Sequence, residues 1–278
     1  VRTALLRGRD HVELGAVAAE AEGPVAVAIS RGGAPKTYGH QEPNEDAALF
    51  AIGERGWLLA VADGHYGSSG AEQALEMLAR ESAPRWLDDP PPAADDAWRT
   101  DVLGVFRRID AAIQTRGRDA GLMAAPTTLT VAVVRPADGR FWHASMGDSH
   151  LFEVLDEGDL ARDLSSGAMR PGRPGFLGEG FESDEALADR AETGSGRLAG
   201  VRALALATDG LSEVGIGVAD PTALVLELGR EVADGEPEAA LRPLALARGL
   251  AEAANRAHQR QRSGDNVAAA VIWLSPPR

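Results

Sequence analysis

Apolar residues in this chain fall into short runs, separated by stretches rich in glycine, proline and carboxylates. Residues 25–29 read as a strand after the Gly23-Pro24 break, and residues 31–43, with their glycines, prolines and polar side chains, read as a loop. Residues 47–52 and 57–62 are apolar runs of strand length joined by Gly53-Glu54-Arg55-Gly56, the pattern of an antiparallel hairpin. Residues 69–87 carry Ala71, Ala74, Leu75, Leu78 and Ala79 near helical spacing, and residues 98–116 carry Val102, Val105, Phe106, Ile109 and Ile113 on one face. Three more strands follow at 127–134, 140–146 and 150–155, the first of them rich in β-branched residues. Residues 158–200 lose the pattern and read as a functional or mobile loop region. A strand at 201–207, helices at 219–234 and 238–260, and a strand at 267–274 complete the chain, whereas residues 1–20 give no firm signal. The expectation is a single domain over residues 1–278, with strands and helices both abundant.

The ends of these strands carry the chemistry. Antiparallel pairing of 47–52 with 57–62 makes neighbours of Glu45 and Asp46, at the start of one strand, and Asp63, at the end of the next. Asp148 after Gly147, Asp209 before Gly210 and Asp265 after Gly264 also sit at strand boundaries beside glycine. One such aspartate is ordinary turn chemistry. Several carboxylates brought together repel one another unless cations bind among them. The economical reading is a polynuclear site for hard divalent ions, able to activate a water and clamp a phosphoryl group. Gly64 lets the backbone approach a ligand, and His65 supplies a group that trades a proton near neutral pH.

Composition narrows the choice. The 28 basic and 42 acidic residues give a net charge of −14, which argues against nucleic acid and anionic membrane surfaces as partners. There is no cysteine, so a metal must be held by oxygen or imidazole, and hard cations such as magnesium, manganese or calcium are favoured. No run reaches the ~20 apolar residues of a membrane helix, and no signal peptide is legible, so a cytoplasmic location is the default. The chain starts at Val1 rather than methionine, which leaves a preceding region open, and its alanine, arginine and glycine richness suggests a GC-rich bacterial genome.

Taken in order, Asn44-Glu45-Asp46, Val61-Ala62-Asp63-Gly64-His65, Thr127-Thr128-Leu129-Thr130, Met146-Gly147-Asp148-Ser149, Thr208-Asp209-Gly210-Leu211 and Gly264-Asp265-Asn266 resemble the motifs of the metal-dependent type 2C serine/threonine protein phosphatases. The resemblance spans residues 44–274. It implies an α+β fold, a four-layer α-β-β-α sandwich of two central antiparallel sheets flanked by helix pairs. It implies two, or with Asp148 and Asp209 three, Mn2+ or Mg2+ ions. Asp63 would bridge two ions and the Gly64 carbonyl would ligate one. Glu45, Asp209 and Asp265 would complete the set, with Asp46 holding metal-bound water. A bridging water would be the nucleophile, His65 the general acid, and Asn266 would orient Asp265. A phosphorylated protein, a kinase or a kinase substrate, would be the partner of a monomeric enzyme.

The chain departs from the family where an arginine usually binds phosphate, four residues before Glu45. That position is Gln41, and Arg31, Lys36 or His40 in the same loop are the candidate replacements. The 158–200 region falls where the family carries a flap, and Arg170 and Arg173 there are either phosphopeptide contacts or solvated loop residues. Two other functions stay open: a phosphatase for a small phosphomonoester, and a non-catalytic metal-binding regulator of a phosphoprotein. His143 and His150 read as structural, His258 as a surface residue, and Trp57, Trp142 and Trp273 as core.

Overall fold

The long apolar strands are buried on both faces, which requires covering layers on each side. In the computed structural model, which describes residues 1–89, 94–156, 159–165 and 175–274, those layers are a second sheet on one side and helices on the other. The first sheet runs β1 (Arg2–Arg7), β4 (Ala47–Ile52), β5 (Trp57–Ala62), β6 (Leu129–Arg135), β7 (Arg140–Met146), β10 (Glu192–Arg197). The second runs β2 (Ala18–Glu22), β3 (Val25–Ser30), β12 (Val267–Trp273), β11 (Val201–Ala207), β8 (His150–Leu155), β9 (Leu160–Asp163). Every strand pair is antiparallel.

Strand alternation assigns each side chain to a layer. In β4 Ala48 and Phe50 face the second sheet, while Ala47, Leu49 and Ala51 face the helices. In β12 Ala268, Ala270 and Ile272 face the first sheet, and Val267, Ala269 and Val271 face α6 (Arg242–Gln261). Helices α1 (Ser69–Met77), α2 (Ala83–Asp88), α3 (Asp95–Asp119) and α4 (Asp184–Arg190) cover the first sheet, and α5 (Pro221–Gly235) and α6 cover the second. The expected four-layer α-β-β-α sandwich is the observed one. Among the described residues no helix is long and apolar enough to cross a membrane.

Three stretches differ from the sequence reading. Residues 1–20 hold β1 and β2, edge strands whose charged and short side chains give little hydrophobic signal. The 158–200 region is not all loop, for it contains β9, α4 and β10. Strand β10 is hidden by its glycines. A Cβ at Gly194 would come within 2.4 Å of His143 Nε2, and one at Gly196 within 2.3 Å of Phe141 Cε1, so the rings of β7 exclude side chains there. The expected 69–87 helix is interrupted by a π turn at Leu78–Ser82, just before Pro84, which cannot donate the backbone hydrogen bond that an α-helix needs. Arg170 and Arg173 lie outside the described residues.

Candidate metal centre

Both sheets end at the same edge, and the acidic boundary residues meet there. The register Ala47↔Ala62 sets Glu45 and Asp46 beside Asp63, while Ala207↔Ala269 brings Asp209 near Asp265. Glu45, Asp63, Asp148, Asp209 and Asp265 line one cleft of about 430 Å3, together with Lys36, Gly64 and His65. Asp46 lies behind it, 1 % exposed.

Buried polar groups hold Glu45, Asp46, Asp63 and Asp265 in place. Asn266 Oδ1 accepts the Glu45 N–H at 2.9 Å, and its Nδ2 donates to the carbonyls of Arg31 (3.1 Å) and Pro43 (2.9 Å), stapling both ends of the 31–43 loop. The expected orientation of Asp265 comes instead from the Asn266 backbone, whose N–H donates to Asp265 Oδ1 at 2.8 Å. Thr128 Oγ1 accepts the Asp63 N–H at 2.9 Å, and Thr127 Oγ1 donates to the Asp63 carbonyl at 2.8 Å. Thr208 Oγ1 donates to Asp46 Oδ2 at 2.7 Å while accepting the Ala268 N–H at 2.9 Å. Gly64 is glycine because a Cβ there would stand 2.5 Å from the Glu45 carbonyl oxygen.

Electrostatic strain is concentrated on the buried carboxylates. Burial, then the charge of Asp265, pushes Asp46 up to about 7. Burial, and next the neighbouring aspartates, raise Asp63 and Asp209 as well. Asp46 Oδ1 and Asp148 Oδ1 are buried without a partner. Burial opposes the charge of Lys36, but Asp265, with Oδ1 2.8 Å from Nζ, outweighs it and holds the ammonium above its ordinary value. Burial lowers His65, whose ring packs on Phe176 at 4.4 Å and whose Nδ1 lies 3.8 Å from Asp63 Oδ2.

These observations bear on metal binding in two ways. The donor set is all oxygen and includes orphaned, buried carboxylate atoms of Asp46 and Asp148, which fits hard divalent ions. Among the described residues no group of three or more His, Asp or Glu is spaced to hold an ion as it stands. Lys36 is inserted among the carboxylates, its Nζ 2.8 Å from Asp265 Oδ1, so an ion taking Asp265 as a ligand would displace that ammonium.

The loop candidates separate clearly. Lys36 enters the cleft and is its only lysine or arginine among the described residues. Arg31 turns away, with Nη1 donating to the Val12 carbonyl at 2.9 Å. Gln41 uses its backbone N–H on Glu45 Oε1 at 2.9 Å, and its exposed side chain does not line the cleft. His40 bonds the Tyr38 carbonyl at 2.9 Å. Two residues escaped the sequence reading. Glu213 lines the cleft, its backbone N–H donating to the Asp209 carbonyl at 2.6 Å, and Tyr38 lines it as well. The Asp209-to-Glu213 spacing was the available signal for the first.

His258 corrects an expectation. It is fully buried rather than on the surface, since it occupies the face of α6 that packs on the sheet. Its Nε2 donates to the Gly210 carbonyl at 2.8 Å, and its Nδ1 accepts the Gly33 N–H at 3.3 Å. His143 is also buried, and His150 bridges Asp163 and Ser212 at 2.6 Å each. Trp142 and Trp273 are core, whereas Trp57 is half-buried.

A family model described as protein phosphatase 2C matches residues 35–272. Among solved structures, the chain is 21% identical to the catalytic domain of the serine/threonine protein phosphatase PstP in complex with two manganese ions, with a TM-score of 0.60 over 94% of this chain and 100% of that one. A serine/threonine phosphatase 2C from Toxoplasma gondii is 17% identical with a TM-score of 0.60, covering 94% and 99% of the two chains. A bacterial serine phosphatase is 16% identical with a TM-score of 0.61, covering 92% and 100%. At these identities the structures show the shared fold. No protein of curated function matches the sequence.

Proposed function

The chain belongs to the protein phosphatase 2C family, and from that premise we propose that it hydrolyses phosphoserine and phosphothreonine in proteins, using Mn2+ or Mg2+. The observation that carries this reading is the buried carboxylate of Asp46, its Oδ1 without a partner, behind a cleft lined by Glu45, Asp63, Asp148, Asp209 and Asp265. Glu45, Asp46, Asp63, Asp209 and Asp265, with the Gly64 carbonyl, would hold two ions, and Asp148 with Asp209 a third. When bound, the ions supply positive charge to the phosphoryl oxygens and acidify a water for in-line attack.

The chain's own residues supply the remainder. Thr208 fixes one Asp46 oxygen and leaves the other free. Lys36, released from Asp265, gives the substrate phosphate the cationic partner that Gln41 cannot give. His65 lies in the same cleft, its proton affinity lowered by burial. A phosphate dianion beside it raises that affinity, so the imidazolium forms in the complex and protonates the leaving seryl or threonyl oxygen. The cleft's negative charge disfavours nucleic acid as a partner.

The test is hydrolysis of an aryl phosphate, phosphopeptides and small phosphomonoesters with manganese, magnesium or chelator, for wild type and Asp63→Asn. Metal-dependent turnover that favours phosphopeptides and disappears in the variant is expected. Metal-loaded wild type that turns over none of these substrates refutes the proposal. A preference for the small esters moves the substrate class.

A further inference from the structure

The chain has two tyrosines, and both line the carboxylate cleft. Tyr38 is 42 % exposed and Tyr66 60 %, so both rings are open to whatever enters it. Each stands beside a group that the phosphatase reading gives to the substrate. Lys36 Nζ lies 4.7 Å from the centroid of the Tyr38 ring, and Tyr66 directly follows His65. A third apolar side chain borders the cleft on another segment, since Val214, 91 % exposed, directly follows the lining residue Glu213. Single exposed apolar side chains are ordinary, but three on separate segments around one charged cleft form a surface that a partner covers.

The backbone of Tyr66 is held outside its ordinary range. Its φ is 61°, in the left-handed region that a bulky side chain rarely adopts and that glycine occupies freely. Packing does not compensate, because most of the residue is in solvent. Strained residues of this kind collect at active sites and ligand clamps. The His65 ring also packs on Phe176 at 4.4 Å, so the imidazole has aromatic neighbours both in sequence and in space. A phosphate held by Lys36 occupies the charged part of the cleft and leaves the tyrosine rings bare. In a peptide, the Cα atoms next to the phosphorylated residue are about 3.8 Å from its own, within reach of rings that border Lys36 and His65.

We propose that Tyr38 and Tyr66 determine specificity, by packing against an aromatic side chain next to the phosphorylated serine or threonine. The inference rests on the phosphatase reading above and adds to it the sequence around the phosphate.

The full chain with manganese is given two phosphothreonine peptides that differ only beside the phosphothreonine, with phenylalanine on both sides or alanine on both sides. An aryl phosphate is the reference substrate. An aromatic pair is worth roughly fivefold, so kcat/KM for the phenylalanine peptide is expected to exceed that for the alanine peptide by about that factor, mainly through KM. Tyr66→Gly, which this backbone accepts without strain, and Tyr38→Ala each lower the ratio by about threefold, whereas Tyr66→Phe keeps the ring and preserves it. Circular dichroism confirms that the variants fold. A merely structural role would change both peptides alike and leave the ratio where it was. Equal kcat/KM for the two peptides, or a ratio unchanged in either folded ring-deleted variant, overturns the proposal, while turnover of the aryl phosphate keeps the phosphatase reading. Absence of metal-dependent turnover of all three substrates removes that reading, and the proposal with it.

Discussion

Replacing His258 with phenylalanine tests how the outer helix layer supports the carboxylate cleft. The imidazole is fully buried and joins two loops, accepting from Gly33 at 3.3 Å and donating to the carbonyl of Gly210 at 2.8 Å. Gly33 belongs to the loop that carries Lys36 into the cleft, and Gly210 directly follows Asp209. Phenylalanine fills the space but leaves a buried N–H and a buried C=O without partners. Each orphan costs about 1–3 kcal/mol, less for the longer bond, so the loss is about 2–4 kcal/mol. Urea unfolding at pH 7.5 measures it. The clamp also predicts a severalfold rise in the manganese concentration for half-maximal aryl-phosphate hydrolysis, because Asp209 and Lys36 lose their common anchor. A stability loss under about 0.5 kcal/mol refutes the hydrogen-bond argument. A full stability loss with unchanged manganese dependence shows that His258 holds the fold and not the site.

Two other outcomes follow from the same structure. Burial lowers His143 to about 4, so at pH below the ordinary value near 6.5 the unfolded chain takes up a proton that the folded chain refuses. The associated stability is fully present above pH 6.5 and is lost as the pH falls toward 4, by about 3 kcal/mol in total, and the pH dependence of His143→Leu should be flatter by that amount; parallel urea-stability profiles contradict it. Lys36→Gln should raise the KM for aryl phosphate roughly tenfold, by removing a charge-assisted contact, while lowering the half-saturating manganese concentration by freeing Asp265. An unchanged KM excludes Lys36 from the phosphate site.

The carboxylates were legible in the sequence because strand ends are fixed by topology. Once residues 47–52 and 57–62 pair, Glu45, Asp46 and Asp63 must be neighbours, whatever the intervening loops do. The loop cation was not legible, since Arg31, Lys36, His40 and Gln41 lie on one irregular segment whose path is set by distant partners. Asn266 holds its two ends, and Gly264 donates to the Pro35 carbonyl at 3.0 Å beside Lys36. His258 was misread because helical periodicity marks an inward face without saying which polar residue on it finds partners. Strand β10 was missed because its glycines answer to the rings of Phe141 and His143 across the ladder, a constraint that exists only after pairing.

Charge supports the proposal that the carboxylate cleft holds more than one ion. Among the described residues its lining holds six acidic side chains, Glu45, Asp63, Asp148, Asp209, Glu213 and Asp265, against one lysine. A single ammonium cannot balance that set, and the mutual repulsion adds to burial, the larger cause, in raising the proton affinity of Asp63 and Asp209. Protons could relieve the repulsion, but only by turning carboxylates into poor ligands. Two divalent ions relieve it while keeping the carboxylates ionised, and Lys36 is then no longer needed by Asp265. On the proposed function, the ammonium that pairs with Asp265 without metal would become available to the substrate when metal is present. If the proposed function holds, metal binding and phosphate binding are coupled through Lys36, and Lys36→Gln should remove the dependence of KM on manganese concentration as well as raising KM itself.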